Sequence, residues 1–187
     1  MMGRKREDAL KILLKYHGME NTVTVDEFGG IAEAILYELL PKAAMLPGAM
    51  ELVEHFHRNS IPMAICTGSA AEDFMYKTKS HQRMLDLIPI RTLTGDDPEV
   101  KRGKPAPDGY LVTMKKFAVI PTSPSNVLVF EDAANGVESG LAAGMRVCAV
   151  PTPGVPFPEE TRSRADVVLN SLEEFDPTMF GLPPMSQ

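Results

Sequence analysis

Cysteine is scarce in this chain: Cys66 and Cys148 are the two copies in 187 residues. Both fall inside apolar, strand-like runs, "MAICTG" and "RVCAVP". They read as buried, reduced thiols rather than a disulfide framework. An excess of positive charge is lacking too. The net charge is -6, whereas a phosphate backbone is recognised by clustered Lys and Arg. No nucleic acid polymer is therefore expected as a partner, and the short basic cluster "GRKRE" does not reverse this. No apolar run approaches the length of a membrane span. The opening "MMGRKREDAL" carries charges with no apolar stretch behind them. These absences predict a cytoplasmic protein with no membrane partner. His17, His55, His57 and His81 show no metal-ligand spacing. The pair in "EHFHRN" lies two apart on a helix, which reads as a solvated face. No internal repeat stands out.

What is present has two textures. Up to about residue 60 the chain reads as helix. Ala9, Leu10, Leu13 and Leu14 form one apolar stripe, ended by Gly18. Asp26 is placed to cap a second helix, whose stripe is Phe28, Ile31, Ile35, Leu36 and Leu39. A third is expected from Pro47, carrying Met50, Val53 and Phe56. Beyond residue 60, short runs rich in Val and Ile appear: "IPMAICTG", "IRTLTG", "NVLVFED", "MRVCAVP" and "ADVVLN". Each is bounded by Gly, Pro, Asp or Asn. Helical patterns over 69–87, 107–118 and 133–143 alternate with them. The runs are nearly continuous, as in strands buried on both faces. The prediction is an α/β fold: a parallel-sheet, Rossmann-like core over 46–187 with helices on both faces. A partial helical cap precedes it over 1–45. The segment from Pro177 is expected to be a loose tail.

In open parallel sheets chemistry collects at the carboxyl ends of the strands. The first core strand ends in Thr67, followed by Gly68 and Ser69. This turn reads either as a helix cap or as a phosphate-binding turn with free N–H groups beside a hydroxyl. In "GKPAPDGY", Lys104 precedes Pro105 and Pro107, so the backbone is stiff on its far side. Its ammonium either sits over an anion or is solvated. "LVFEDAANG" ends an apolar strand in Glu131 and Asp132. Acids there are costly unless hydrated, paired or bound to a cation. Asp132 either caps the next helix or, with Glu131, binds Mg²⁺, which takes few carboxylates and keeps several waters. Cys66, one residue before Thr67, reads as core.

In combination, Thr67, Lys104 and the Glu131–Asp132 pair resemble three motifs of the haloacid dehalogenase-like hydrolase superfamily. The chain is most similar to its β-phosphoglucomutase and pseudouridine-5'-phosphatase subgroup. That likeness rests on "LPGAMELVEHF", "GDDPEV", "GKPAPD", "LVFEDAANGVESGLAAGM" and "VLNSLEEFDPTMFGLP", and spans about Gly3 to Pro183. It implies a Mg²⁺-dependent phosphatase of a small phosphorylated metabolite, pseudouridine-5'-phosphate being one candidate. Thr67, Gly68, Ser69 and Lys104 would hold phosphate, with Lys104 catalytic, and Glu131 and Asp132 would hold Mg²⁺. Arg6, and with it Arg4, matches a cap position that grips substrate, or is a surface charge. The resemblance also implies an aspartate nucleophile in a D-x-D motif ending the first core strand. No two aspartates in this chain lie two residues apart. The first core strand and its nucleophile are thus expected to be missing, and the chain alone to lack turnover. The alternatives are a non-catalytic phosphate-binding or interaction protein of the same fold, or a sugar-phosphate mutase.

Overall fold

A computed structural model describes residues 6–185, with side chains from residue 10 onward. Arg4 lies outside the described residues, and so does the side chain of Arg6. Two helices come first, α1 (Arg6–Tyr16) and α2 (Val25–Leu39). Gly18 follows α1 at φ 65°, a left-handed turn that costs glycine little. The cap of α2 is Thr24, not Asp26. The Thr24 hydroxyl accepts the Glu27 N–H at 3.2 Å, and the Glu27 carboxylate accepts the Thr24 N–H at 3.0 Å. This reciprocal capping box satisfies two free donors at once, which Asp26 in the first turn cannot do. α1 packs on α2, yet Ile31, Ile35, Leu36 and Leu39 of the expected stripe stay exposed. α1, and a later helix over Ala71–Thr78 through Tyr76 stacked on Tyr37, together leave so broad an apolar stripe uncovered.

α3 (Ala49–Arg58) starts two residues later than expected from Pro47. Gly48 caps it at φ 80°, and a Cβ there would lie 2.6 Å from the Glu173 backbone nitrogen. Its buried face is Leu52, His55 and Phe56. His55 therefore corrects the solvated-face reading: it is fully buried. Its Nε2 lies 2.9 Å from the Pro183 carbonyl oxygen, and Asn59 Nδ2 lies 3.4 Å from its Nδ1. A buried imidazole is tolerable because both nitrogens have partners.

The remaining elements alternate. They are β1 (Ala64–Thr67), α4 (Ala71–Thr78), α5 (Gln82–Leu87), β2 (Ile90–Leu93) and α6 (Asp108–Lys115), then β3 (Leu128–Glu131), α7 (Ala134–Ala142), β4 (Arg146–Ala149), α8 (Glu159–Arg164) and β5 (Val167–Val168). The helical pattern over 69–87 is two helices. At the break, Ser80 donates to the Pro41 carbonyl and His81 Nε2 lies 3.0 Å from the Ala43 carbonyl oxygen. All strand pairings are parallel, β1 with β2, and β3 with β4 with β5. The sheet is in two pieces: β1 and β3 each end one and are not paired to each other.

Residue alternation along β3 and β4 makes two cores, one per face. Val129, Val147 and Ala149 pack with Tyr110 of α6 and Val137 of α7. Cys148 and Val150 pack on the other face with Leu52 and Phe56 of α3, and with Phe175. Helices thus cover both faces, as the near-continuous apolar runs require. Among the described residues no helix is long and apolar enough to cross a membrane.

The segment after Pro177 is not a loose tail. Pro177 is fully buried, and the Phe175 ring meets those of Phe56, Phe130 and Phe180 at centroid distances of 6.3, 4.9 and 5.7 Å. Phe180 and Leu182 join the same core. This aromatic cluster closes the α3 face. Phe175→Ala is expected to lower unfolding free energy by about 3–5 kcal/mol, measured by urea denaturation. A loss under about 1 kcal/mol would show that the segment is not part of the core.

Candidate active site

The site is built where β1 and β3 end. Thr67 is the last residue of β1. Its hydroxyl accepts the Ser69 N–H at 3.2 Å and donates to Ser69 Oγ at 3.3 Å. Lys77, two turns along α4, donates to Ser69 Oγ at 2.8 Å. Asp96, from the loop after β2, caps α4 by accepting the Ala71 N–H at 2.5 Å. The turn Thr67–Gly68–Ser69 is therefore fixed from three sides, with its hydroxyls at the head of α4. Sequence reasoning missed Lys77 and Asp96. Lys77 lies near the end of α4, whereas Ser69 precedes the helix, so their contact had no signal in sequence spacing.

Lys104 reaches across the two sheet pieces. Its ammonium donates to the Cys66 carbonyl at 3.3 Å, on β1, and pairs with the Glu131 carboxylate, on β3. It also lies 4.9 Å from the centroid of the Tyr110 ring, a favourable cation–π placement. The Lys104–Pro105 peptide is cis. The lysine is not a free surface cation, since its side chain is only 18% exposed and that of Glu131 only 9%. Tyr110 donates its hydroxyl to the same Glu131 carboxylate. Burial first, and the Glu131 charge second, push the Tyr110 phenol well above its ordinary pKa. Burial also raises the Cys66 thiol. A thiol held protonated is a poor nucleophile, which agrees with the reading of Cys66 as core.

Glu131 and Asp132 do not converge. Adjacent residues at a strand end face opposite ways. Glu131 turns to the α6 and α7 face, where its carboxylate lies on Gly136 so closely that a Cβ there would overlap it. Asp132 turns away and accepts the Thr152 hydroxyl at 3.1 Å. The expected two-carboxylate Mg²⁺ pair is therefore divided here into an ion-pair partner of Lys104 and one remaining acid. Among the described residues no group of three His, Cys, Asp or Glu could hold a metal. Mg²⁺ commonly takes one or two carboxylates plus phosphate oxygens and water. Asp132 with Thr152 beside it fits that habit only when a phosphate shares the ion. Tyr110 and Thr152 were also missed from sequence. Tyr110 sits inside the quoted "GKPAPDGY", but nothing there shows which way α6 turns its ring.

A sequence profile for haloacid dehalogenase-like hydrolases matches residues 3–144. (DL)-glycerol-3-phosphatase 2 of Arabidopsis thaliana is 39% identical over 184 residues, covering 98% of this chain and 75% of the relative. A probable pseudouridine-5'-phosphatase of Drosophila melanogaster is 37% identical over 183 residues, covering 98% and 77%. Among solved structures, a haloacid dehalogenase family hydrolase of Deinococcus radiodurans R1, with bound phosphate and sodium, superposes with a TM-score of 0.73. It is 24% identical and covers 98% of this chain and 80% of its own. The β-phosphoglucomutase of Clostridium difficile gives a TM-score of 0.71 at 20% identity, covering 96% and 76%. At these identities the two structures establish the fold.

Two outcomes test the corner. Glu131→Gln leaves the Lys104 ammonium without its charge partner, so stability should fall by about 3 kcal/mol at neutral pH, read by chemical denaturation. A change within experimental error would show that the pair is not buried in solution. The raised Tyr110 pKa means that the folded chain keeps a proton which the unfolded chain gives up above about pH 10. Stability should be intact below that pH and fall as pH rises above it, and Tyr110→Phe should flatten that alkaline limb.

Proposed function

Because the chain belongs to the haloacid dehalogenase-like hydrolase family, we propose that its site serves a Mg²⁺-dependent phosphatase acting on a small phosphorylated metabolite. The observation that carries this reading is the position of Lys104. Its ammonium is held at the carboxyl ends of both sheet pieces, one residue from Thr67, by the Cys66 carbonyl and Glu131. A lysine ammonium has three donors. Those two contacts leave one for a phosphate oxygen. The Thr67 hydroxyl and the Gly68 backbone beside it are placed to supply the other contacts. Glu131 keeps Lys104 in place, and Tyr110 keeps Glu131 in place. The α6 wall behind Lys104 holds water back and strengthens the charge contacts.

Mg²⁺, when bound with phosphate at Asp132, would neutralise oxygens that the single lysine leaves charged. The substrate falls in the class handled by the relatives, which are named for glycerol-3-phosphate and pseudouridine-5'-phosphate. The residues given hold phosphate but include no Asp-x-Asp pair. Residues 1–187 alone should therefore bind phosphate without turning it over.

The test has three arms on the chain of residues 1–187. Calorimetry should find saturable binding of inorganic phosphate, weakened at least about tenfold in Lys104→Ala. Mg²⁺ should bind measurably only with phosphate present, and Asp132→Asn should abolish that. Neither glycerol-3-phosphate nor pseudouridine-5'-phosphate should release phosphate. Absence of phosphate binding would end the site assignment, and turnover by this chain would end the claim that it lacks the nucleophile.

A further inference from the structure

Lys77 has an ordinary helix ion pair within its reach and does not form it. Asp73 precedes it by four residues on α4, the favourable spacing for an acid and a lysine. The Asp73 carboxylate lies 3.5 Å from the Tyr37 hydroxyl instead. The Lys77 ammonium reaches back to the head of the helix and donates to Ser69 Oγ at 2.8 Å. Among the described residues no carboxylate pairs with it.

The hydrogens of this turn can be counted. A hydroxyl has one hydrogen and two lone pairs. Thr67 accepts the Ser69 N–H at 3.2 Å and gives its own hydrogen to Ser69 Oγ at 3.3 Å. Ser69 Oγ thus accepts twice, from Thr67 and from Lys77, and both of its lone pairs are taken. Its own hydrogen finds no acceptor among the described residues. Ser69 is only 7% exposed, and a buried donor left unpaired is costly. An acceptor beside the turn would complete it. Charge points the same way. Glu131 neutralises Lys104, and Asp96 sets a carboxylate against the first N–H of α4. Lys77 is the cation at this turn, among the described residues, whose charge no acid cancels, so its field favours an anion there.

We propose that Lys77 is a positioning residue of the phosphate site: by donating to Ser69 Oγ it fixes the Ser69 O–H as a donor to a phosphate oxygen. The inference rests on the phosphate reading of this corner. No covalent bond forms or breaks. Lys77 does not touch the anion. It holds one Ser69 lone pair, so that the hydrogen must point elsewhere, and its positive charge makes that hydrogen a stronger donor.

Calorimetry with inorganic phosphate on the chain of residues 1–187 tests this. Lys77 is exposed, so its replacement leaves the fold intact. Lys77→Met and Ser69→Ala should each weaken binding about tenfold, as loss of one charge-assisted hydrogen bond would. The double variant should also lose only about tenfold, because Lys77 acts through Ser69. Lys77→Arg keeps the charge and the donors and should bind within about threefold of the unmodified chain. Lys79→Met removes an equal charge from the end of α4 and should change affinity less than about twofold. A loss of about a hundredfold in the double variant would overturn the proposal in favour of direct contact between Lys77 and the anion. An equal loss in Lys79→Met would overturn it in favour of overall charge. Unchanged affinity in Lys77→Met, with lower stability in urea, would make the lysine a brace of α4, which overturns the proposal and spares the phosphate reading. No phosphate binding by the unmodified chain would remove that reading and the proposal with it.

Discussion

The Lys104–Glu131 ion pair is the constraint on which the rest of the site depends. It spans the gap between two sheet pieces that share no strand pairing, touching the Cys66 carbonyl on one side and the end of β3 on the other. Little water reaches either charge, so the attraction is worth more than at a surface, and an unpaired member would be costly. Tyr110 joins the same carboxylate from α6. The approach of α6 to β1 is close: a Cβ on Gly109 would lie 2.8 Å from Thr94 Cγ2 and 3.2 Å from Cys66 Sγ. Glycine there lets the helix bring Tyr110 and the lysine loop up to the strand ends.

Around this polar link, the molecule is organised by which way strand residues face. β4 divides its side chains cleanly, Val147 and Ala149 to the α6–α7 core, Cys148 and Val150 to the α3 core. The same rule explains the fate of the acidic pair. Glu131 shares a face with Val129 and turns to Tyr110, whereas Asp132 turns to Thr152. Thr67, Ser69 and Lys104 on one side and one outward acid are what remain at the strand ends, an arrangement suited to an anion that brings its own oxygens to a cation.

The strands were legible from the residues because a strand buried on both faces leaves an apolar run with sharp borders, and all five runs became strands. Thr67 and Glu131 do end β1 and β3, and Lys104 does precede a helix, α6. Other features depend on distant contacts. His55 looked solvated because its partner, the Pro183 carbonyl, lies 128 residues away. The α2 cap was misplaced because Asp26 and Thr24 are both good caps, and only the reciprocal bond from Glu27 decides between them. Adjacency of Glu131 and Asp132 shows that acids end β3 but not which face each carboxylate takes, Glu131 to Lys104 and Tyr110, Asp132 to Thr152. Nor does periodicity show that the α2 stripe stays uncovered, since that depends on how many helices pack against it.

The aromatic lock formed by Phe175 and Phe180, with the Pro183 carbonyl on His55, bears on the order of events during synthesis. α3 leaves the ribosome well before the residues that seal its apolar face, which come far later in the chain. Until they do, Leu52 and Phe56 lie open to water and to chaperones. Ribosome stalling shortly before residue 175 would thus yield a nascent chain with its strands made but one core unsealed, a ready substrate for quality control.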